Sequence, residues 1–142
     1  LIVAGRPSQK LVMQMAAEYG VAEQVIAYGP SHDVGLLHAA ADLFVLPTQY
    51  EAFCLAILES LGSGLPVVTA RVPGAHDAIQ CGQNGALVNN PKDGSELAAQ
   101  LQPLLEPARL EALSATTPAT VVRYQWPVVL AQYENLLLRY CR

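Results

Sequence analysis

The 142-residue chain has 8 lysines and arginines against 12 aspartates and glutamates, a net charge of −4, and 52% of its residues are hydrophobic. This composition excludes a largely disordered chain and favours one globular domain, without the basic stripe that binds nucleic acid or an anionic membrane surface. Its three cysteines, an odd number without C-x-x-C spacing, argue against a disulfide framework and a structural zinc site. We expect reduced thiols in a cytoplasmic protein.

The first predicted element is a strand at residues 1–4, which begins the chain without an initiator Met or a basic leader. We therefore expect no signal peptide, and we expect an excised piece of a longer protein. No apolar run approaches the ~20 residues that span a bilayer.

Short apolar runs predict strands at residues 1–4, 25–28, 43–46, 66–69 and 86–88. The runs are too continuous for half-exposed strands, so we expect a parallel sheet covered on both faces. Segments with helical spacing separate the runs, and their apolar stripes are Leu11, Met15 and Tyr19; Leu36, Leu37 and Ala40; and Leu97, Leu101 and Leu104. The alternation predicts a doubly wound, Rossmann-like α/β fold, whose ligand lies outside the carboxyl ends of the strands.

After Pro118 the pattern becomes that of a long C-terminal amphipathic helix. Its apolar positions recur every three or four residues, at Trp126, Val129, Leu130, Tyr133, Leu137 and Tyr140. The simplest interpretation is that this helix packs back onto its own sheet. The alternative is that part of its face meets a neighbouring domain.

Several common active sites are missing from the sequence. It has no G-x-x-x-x-G-K-[ST] phosphate loop and no G-x-G-x-x-G dinucleotide fingerprint. Isolated aspartates such as Asp42 form no D-x-D pair that would hold a divalent metal between diphosphate oxygens. Ser31, His32 and Asp33 are consecutive and their side chains point apart, which argues against a catalytic triad. His38 lies in an alanine-rich helical segment and is interpreted as a structural or surface histidine.

The segment after the third strand carries the most chemistry. A helix is predicted from about Phe53 over residues 53–61, with Gly62 and Gly64 as its stop signal, which places Glu51 in the loop at the carboxyl end of the strand. Glu59 lies inside this helix, which is otherwise almost all apolar, so we expect a buried carboxylate that ligand hydroxyl groups would satisfy. The alternative is a glutamate that reaches solvent or pairs with a lysine. Between the two carboxylates, the free N–H groups of residues 52–55 predict a phosphate site.

These features belong to a larger set of motifs. The E-x7-E pair of Glu51 and Glu59 follows A-A-D-L-F-V-L-P at 40–47 and precedes G-L-P-V-V at 64–68. P-G-A-H-D-A-I at 73–79, G-Q-N-G-A-L-V at 82–88 and Y-Q-W at 124–126 come later in the chain. Together the motifs resemble the C-terminal, donor-binding half of retaining glycosyltransferases with the GT-B fold, the family 4 or group 1 glycosyl transferases. Residues 33–43 are also similar to lipopolysaccharide-core glucosyltransferases of that family.

The resemblance implies an enzyme that transfers a hexose, with retention, from a UDP-, GDP- or ADP-sugar to a glycan, glycolipid or lipopolysaccharide core, without a metal or other cofactor. Glu51 is assigned as the catalytic residue, which would bind hydroxyls of the transferred sugar, and Glu59 would bind the ribose hydroxyls. The backbone at Ala52, Phe53, Cys54 and Leu55 would hold the distal phosphate and sugar. Pro30 and Ser31 would pass beside the nucleobase.

The resemblance also implies partners and a location. Residues 1–142 would form the nucleotide-sugar-binding domain, truncated at its N-terminus, and the acceptor domain of the same polypeptide would lie outside this chain. We expect a cytoplasmic protein, at the inner face of the membrane if the missing domain makes a peripheral membrane contact. The piece alone is expected to bind its donor weakly and to catalyse nothing.

Two departures from the family pattern leave alternatives open. Ala52 and Cys54 replace the glycines of the usual E-G-F-G, and neither Arg6 nor Lys10 matches the family's basic pair for the diphosphate. A degenerate, non-catalytic nucleotide-binding module is therefore the main alternative. A sugar-nucleotide epimerase is disfavoured because such enzymes use other acid–base carboxylates, and a dinucleotide-binding domain is disfavoured because the glycine fingerprint is missing.

Overall fold

A computed structural model describes residues 1–6 and 8–140 of the chain. The chain divides into two compact units, one ending at Leu37 and one beginning at His38. Both contain parallel strands separated by helices, which confirms the predicted α/β class. Cys54 is a buried free thiol and Cys81 an exposed one, whereas Cys141 lies outside the described residues.

The first unit consists of β1 (Ile2–Ala4), α1 (Gln9–Glu18), β2 (Ile26–Gly29) and the start of α2 (Val34–Ala39). β1 and β2 pair in parallel, with Ile2 opposite Ile26. The side-chain amide of Gln9 donates to the carbonyl oxygens of Ala27 and Tyr28, both at 3.0 Å. These two hydrogen bonds fasten the first turn of α1 to β2.

The second unit contains β3 (Phe44–Leu46), α3 (Leu55–Gly62), β4 (Val67–Ala70), β5 (Gly85–Val88), α4 (Gly94–Leu101), α5 (Pro107–Thr120) and α6 (Trp126–Tyr140). Its strands form a parallel sheet in the order β3-β4-β5. Val67 stands opposite Phe44 on one side and Gly85 on the other. A Cβ at Gly85 would collide with the carbonyl group of Val67, so this strand pair requires glycine.

The core of the second unit lies on both faces of β4. Val67 packs with Ile57 and Leu61 of α3, whereas Val68 packs with Leu113 of α5. Because successive residues of a strand point to opposite faces, the two groups lie on opposite sides of the sheet. The predicted coverage of both faces is confirmed here, and every residue of β4 and β5 is buried.

Other expectations about burial are wrong. Ile2 of β1 and Ile26 of β2 are exposed, so these two strands are not covered like β4. All three members of the predicted stripe of α1 are exposed, and the small Ala16 is the buried residue of that helix. Helical spacing identifies an apolar face but does not establish that another element covers it. Of the other two stripes, Leu36 is exposed and Leu104 is buried.

The C-terminal helix is present as predicted, but its packing differs. No residue of α6 is buried, and Trp126, Tyr133 and Leu137 are each more than half exposed. The interpretation that α6 packs back onto its own sheet is therefore wrong. Among the helices of the described residues, none combines the length and apolar character needed to cross a membrane.

Candidate donor site

The loop between β3 and α3 places Glu51 at the carboxyl end of the strand, as predicted. Thr48 shapes this loop, because its N–H donates to the carbonyl oxygen of Leu46 and its hydroxyl donates to that of Tyr50, both at 2.8 Å. The buried Thr69 hydroxyl of β4 also donates to the Leu46 carbonyl oxygen, at 2.8 Å. These hydrogen bonds fix the start of the loop against the sheet.

The end of the loop leads into α3, with Cys54 as the N-cap residue. Among the described residues, the backbone N–H groups of Phe53 and Leu55 have no acceptor. Free N–H groups are expected at a helix N-terminus, where they and the helix dipole favour an anion. Two of the four predicted phosphate-binding amides are thus free to donate.

The other two predicted amides are already hydrogen-bonded. The Ala52 N–H donates to Oε1 of Glu51 at 3.2 Å, and the Cys54 N–H donates to the carbonyl oxygen of Gly74 at 3.4 Å. The carboxylate of Glu51 is therefore folded onto its own loop, the loop that also contains the free N–H group of Phe53. A ligand hydroxyl could donate to the same carboxylate, because each carboxylate oxygen accepts more than one hydrogen bond.

The thiol of Cys54 is buried and lies next to the carboxylate of Glu51. Burial raises the pKa of the thiol, and the nearby carboxylate of Glu51 raises it further by its charge and by a hydrogen bond, while the N–H groups of Ile57 and Ala56 act in the opposite direction. The raised pKa keeps the thiol protonated and weakly nucleophilic at neutral pH. Cys54 therefore acts as a neutral packing residue at a position where the related family usually has glycine.

The expectation that Glu59 is buried is wrong. α3 buries Ile57, Ser60 and Leu61, whereas Glu59 is exposed. Leu55, one turn before Glu59, is 62% exposed, and residues four apart share one face of a helix. Within the described residues the Glu59 carboxylate has no ion-pair partner. Because Glu59 is exposed, its carboxylate does not need a bound diol to offset a cost of burial. The carboxylate is nevertheless free to accept hydrogen bonds from the hydroxyls of a ligand.

Pro30 and Ser31 lie in the first unit, directly after β2. The Ser31 hydroxyl oxygen accepts from the N–H of Asp33 at 3.0 Å, and Oδ1 of Asp33 accepts from the N–H of Leu36 at 3.0 Å. Ser31 therefore supports a turn, and Asp33 satisfies an amide in the first turn of α2. These local roles agree with the prediction that Ser31, His32 and Asp33 form no catalytic triad.

His38 is a buried structural histidine, one of the two interpretations of the sequence. Its Nδ1 lies 3.3 Å from the hydroxyl oxygen of Ser63, and its Nε2 lies 3.3 Å from that of Ser60. The ring also packs edge-on against Phe44, with 6.2 Å between ring centroids. Through Ser60 and Ser63, His38 contacts the middle and the C-terminal end of α3, the helix that contains Glu59.

Thr48 and Gly74 shape the site but were not recognised as site residues in the sequence. Gly74 stands in the P-G-A-H-D-A-I motif, so the motif was an available signal. Thr48 offers only the general tendency of threonine to hydrogen-bond nearby backbone in turns. In residues 1–6 and 8–140, no group of three or more His, Cys, Asp or Glu side chains is arranged to hold a metal ion.

Comparison with known proteins identifies the family. A family model described as glycosyl transferases group 1 matches residues 1–117. The D-inositol 3-phosphate glycosyltransferase of Thermobispora bispora is 39% identical over 130 residues, which are 89% of this chain and 30% of the relative. The protein of the same name from Rhodococcus opacus is 32% identical over 135 residues, again 89% of this chain and 30% of the relative. The chain therefore spans about a third of the length of these curated relatives.

Solved structures of glycosyltransferases are similar to this chain as well. Anabaena Alr3699/HepE in complex with UDP-glucose is 26% identical with a TM-score of 0.83, over 97% of this chain and 40% of that one. WaaG, a glycosyltransferase involved in lipopolysaccharide biosynthesis, is 28% identical with a TM-score of 0.78, over 94% of this chain and 36% of that one. The predicted likeness to GT-B glycosyltransferases is confirmed. By its sequence and its fold, the chain belongs to the glycosyl transferases group 1 family.

Proposed function

We propose that this chain is the nucleotide-sugar-binding domain of a glycosyltransferase. The observation that carries the proposal is that the Glu51 carboxylate, hydrogen-bonded to Ala52, and the free N–H groups of Phe53 and Leu55 belong to one short segment at the carboxyl edge of a parallel sheet. Ligands of open α/β sheets bind at this edge. The distal phosphate would accept hydrogen bonds from the two amides, and hydroxyls of the sugar would donate to Glu51.

The chemistry of this site is stabilisation of a leaving diphosphate. Negative charge develops on the phosphate when the bond to the sugar breaks, and the free N–H groups of Phe53 and Leu55 would stabilise that charge. The neutral thiol of Cys54 adds no opposing charge. We infer a transfer with retention, without a metal or other cofactor, in which Glu51 is the catalytic residue that holds the sugar.

The remaining donor contacts are part of the same proposal. Glu59 would accept hydrogen bonds from the ribose hydroxyls, since its carboxylate is exposed and unpaired within the described residues. Ala52 and Cys54 would contribute backbone groups near the sugar. Pro30 and Ser31 would pass beside the nucleobase.

The comparisons suggest which donor and which partners to test first. Alr3699/HepE was solved with UDP-glucose, so UDP-hexoses are the first donors to try. Names of relatives include D-inositol 3-phosphate glycosyltransferase and a lipopolysaccharide enzyme, so the acceptor would be a glycan, glycolipid or related polyol. An acceptor domain on the same polypeptide would suit the relatives' greater length, and the exposed apolar face of α6 is a surface that it could cover.

Calorimetric titration with UDP, GDP and ADP tests the proposal. We expect one of the three to bind best, and we expect Glu59→Ala to weaken that binding about tenfold or more, because hydrogen bonds to a charged group contribute about 1.5–3 kcal/mol. Glu134→Ala is the matched control, since Glu134 is an exposed glutamate on α6. Equal affinities for the wild type and Glu59→Ala would remove Glu59 from the site. A parallel titration in which NAD binds more tightly than all three nucleotides would contradict the proposal as a whole.

A degenerate nucleotide-binding module is the second candidate. Ala52, an exposed residue in a position where the related family usually has glycine, favours it because its side chain restricts approach to the backbone. Binding of UDP-glucose without release of UDP, measured in the full-length protein with polyol and glycan acceptors, would support the module. Release of UDP that depends on the acceptor would support the transferase.

A further inference from the structure

The loop between β3 and α3, residues 47–54, is called the Glu51 loop. The segment that follows β4, residues 71–75, makes an unusually close contact with it. Gly74 has a φ of +76°, a conformation that residues with a side chain rarely adopt. A Cβ at Gly74 would overlap the carbonyl group of Ala52 and would lie 2.9 Å from the carbonyl oxygen of Glu51. The neighbours are backbone atoms, so they cannot rotate away as a flexible side chain would.

Further contacts hold the two loops together. The carbonyl oxygen of Gly74 accepts the N–H of Cys54 at 3.4 Å. Ala75, the next residue, is fully buried in the same apolar cluster as Cys54. The N–H groups of Ala75 and His76 both donate to the carbonyl oxygen of Val72 at 3.2 Å, which makes this segment a tight turn. Gly74 is therefore held in a tight turn, and its backbone packs directly against the backbone of the Glu51 loop.

We propose that Gly74 is a positioning residue for the sugar half of the donor site. This inference rests on the proposed function. Gly74 acts through the backbone of Glu51 and Ala52, because the absence of a side chain lets this backbone lie close to the turn that follows β4. The close packing sets the place of the Glu51 carboxylate and the direction of the neighbouring N–H groups.

The chain contains a matched control for a test of this role. Gly82 has a φ of +81°, and a Cβ added there would meet no atom within 4 Å. Gly82→Ala thus introduces the same backbone strain as Gly74→Ala without the collision. The difference between the two variants isolates the contact with the Glu51 loop.

The experiment compares the affinities for UDP-glucose and UMP in the wild type and both variants. UMP lacks the distal phosphate and the sugar, so it does not use the Glu51 loop. We expect Gly74→Ala to lower the ratio of the UDP-glucose affinity to the UMP affinity about tenfold, since ångström-scale displacement of a binding group has effects of this order or larger. We expect Gly82→Ala to leave the ratio unchanged. A partly unfolded protein would lose both affinities in proportion, so a purely structural defect does not move the ratio.

The outcomes separate this inference from the proposed function. A wild type that binds no nucleotide refutes the proposed function and the inference with it. A wild type that prefers UDP-glucose, with equal ratios in folded Gly74→Ala and Gly82→Ala, refutes the positioning role alone. If Gly74→Ala does not fold, Cys54→Pro replaces it, because proline removes the N–H that Cys54 donates to Gly74. The inference then predicts a lower ratio in Cys54→Pro than in Cys54→Ala, and equal ratios would overturn it.

Discussion

Glu51 and Glu59 show how differently two carboxylates of one short segment are held. Glu51 accepts a hydrogen bond from Ala52 and lies beside the buried Cys54 thiol, so its place is set by its own loop. Glu59 projects from the outer face of α3 and is exposed. Glu51 is therefore partly organised before a ligand arrives, whereas Glu59 would lose side-chain freedom on binding, which costs up to about 2 kcal/mol.

The proximity of Glu51 and Cys54 can be tested by thiol labelling. Because the Glu51 charge raises the pKa of the thiol, Glu51→Gln should lower that pKa, increase the thiolate fraction and speed alkylation of Cys54 severalfold. Peptide mass spectrometry after timed exposure to iodoacetamide at pH 8 measures the rate. The exposed Cys81 is the internal control, whose rate should not change. An unchanged Cys54 rate would show that the carboxylate does not influence the thiol.

The sequence predicts where both carboxylates lie along the chain, but it does not predict the environment of Glu59. The position of Glu51 followed from the strand and helix signals around it. The exposure of Glu59 did not follow, because a helix composed mainly of apolar residues is buried only where other elements reach it. The contact of Gly74 with the Glu51 loop joins residues more than twenty positions apart, and a single sequence does not reveal such a contact.

At the scale of elements, α3 has one buried face, and two leucines test its orientation. Leu61 is fully buried, whereas Leu55 is 62% exposed. Leu61→Ala should lower the free energy of unfolding by about 2–5 kcal/mol, because it leaves a cavity beside Val67. Leu55→Ala should change it by about 0.5 kcal/mol or less. Urea denaturation measures both, and similar losses for the two variants would contradict the assigned faces.

The connection from β5 to α4 depends on a carboxylate. Oε1 of Glu96 accepts from the backbone N–H of Asn89 at 2.7 Å, and Oε2 accepts from that of Asn90 at 2.9 Å. These hydrogen bonds lower the pKa of Glu96. A carboxyl group whose pKa is lower in the folded state stabilises the fold above its unfolded pKa of about 4.3, and this contribution is lost as the pH falls through the folded value.

Glu96→Gln should therefore lower the melting temperature at pH 7, and the difference from the wild type should shrink as the pH falls below about 4. Thermal unfolding followed by circular dichroism across this range measures the effect. Glu134→Gln, at an exposed position of α6, is the control and should leave the melting temperature unchanged at both pH values. A constant difference for Glu96→Gln at all pH values would exclude ionisation of Glu96 as its cause.

The five strands were predictable because each is a short, continuous apolar run bounded by glycine, proline or polar residues. Helix α5 was not predicted. It begins with Pro107, contains Pro118, and buries Leu113 and Thr117, so its apolar periodicity is weak. The position of α5 depends on the packing of Leu113 against the sheet, and the segment has no clear hydrophobic periodicity that would predict a helix.

At the scale of the whole molecule, α6 carries large apolar side chains that the described residues leave exposed. Leu137 is 56% exposed, so Leu137→Gln should change the free energy of unfolding by about 0.5 kcal/mol or less. Leu113→Ala, in the core, should lower it by about 2–5 kcal/mol. Chemical denaturation of both variants provides the comparison. A large loss for Leu137→Gln would show that α6 is packed against the rest of the chain.

An amide-resolved NMR titration with UDP-glucose tests whether a nucleotide-sugar binds at the carboxyl edge of β3. We expect the largest shifts at the N–H groups of Phe53 and Leu55, with smaller shifts at Ala52 as the sugar hydroxyls share the Glu51 carboxylate. Glu51→Gln should reduce the shift at Ala52 more than the shift at Leu55. Saturable binding that leaves residues 52–55 unperturbed would place the ligand elsewhere and contradict the account.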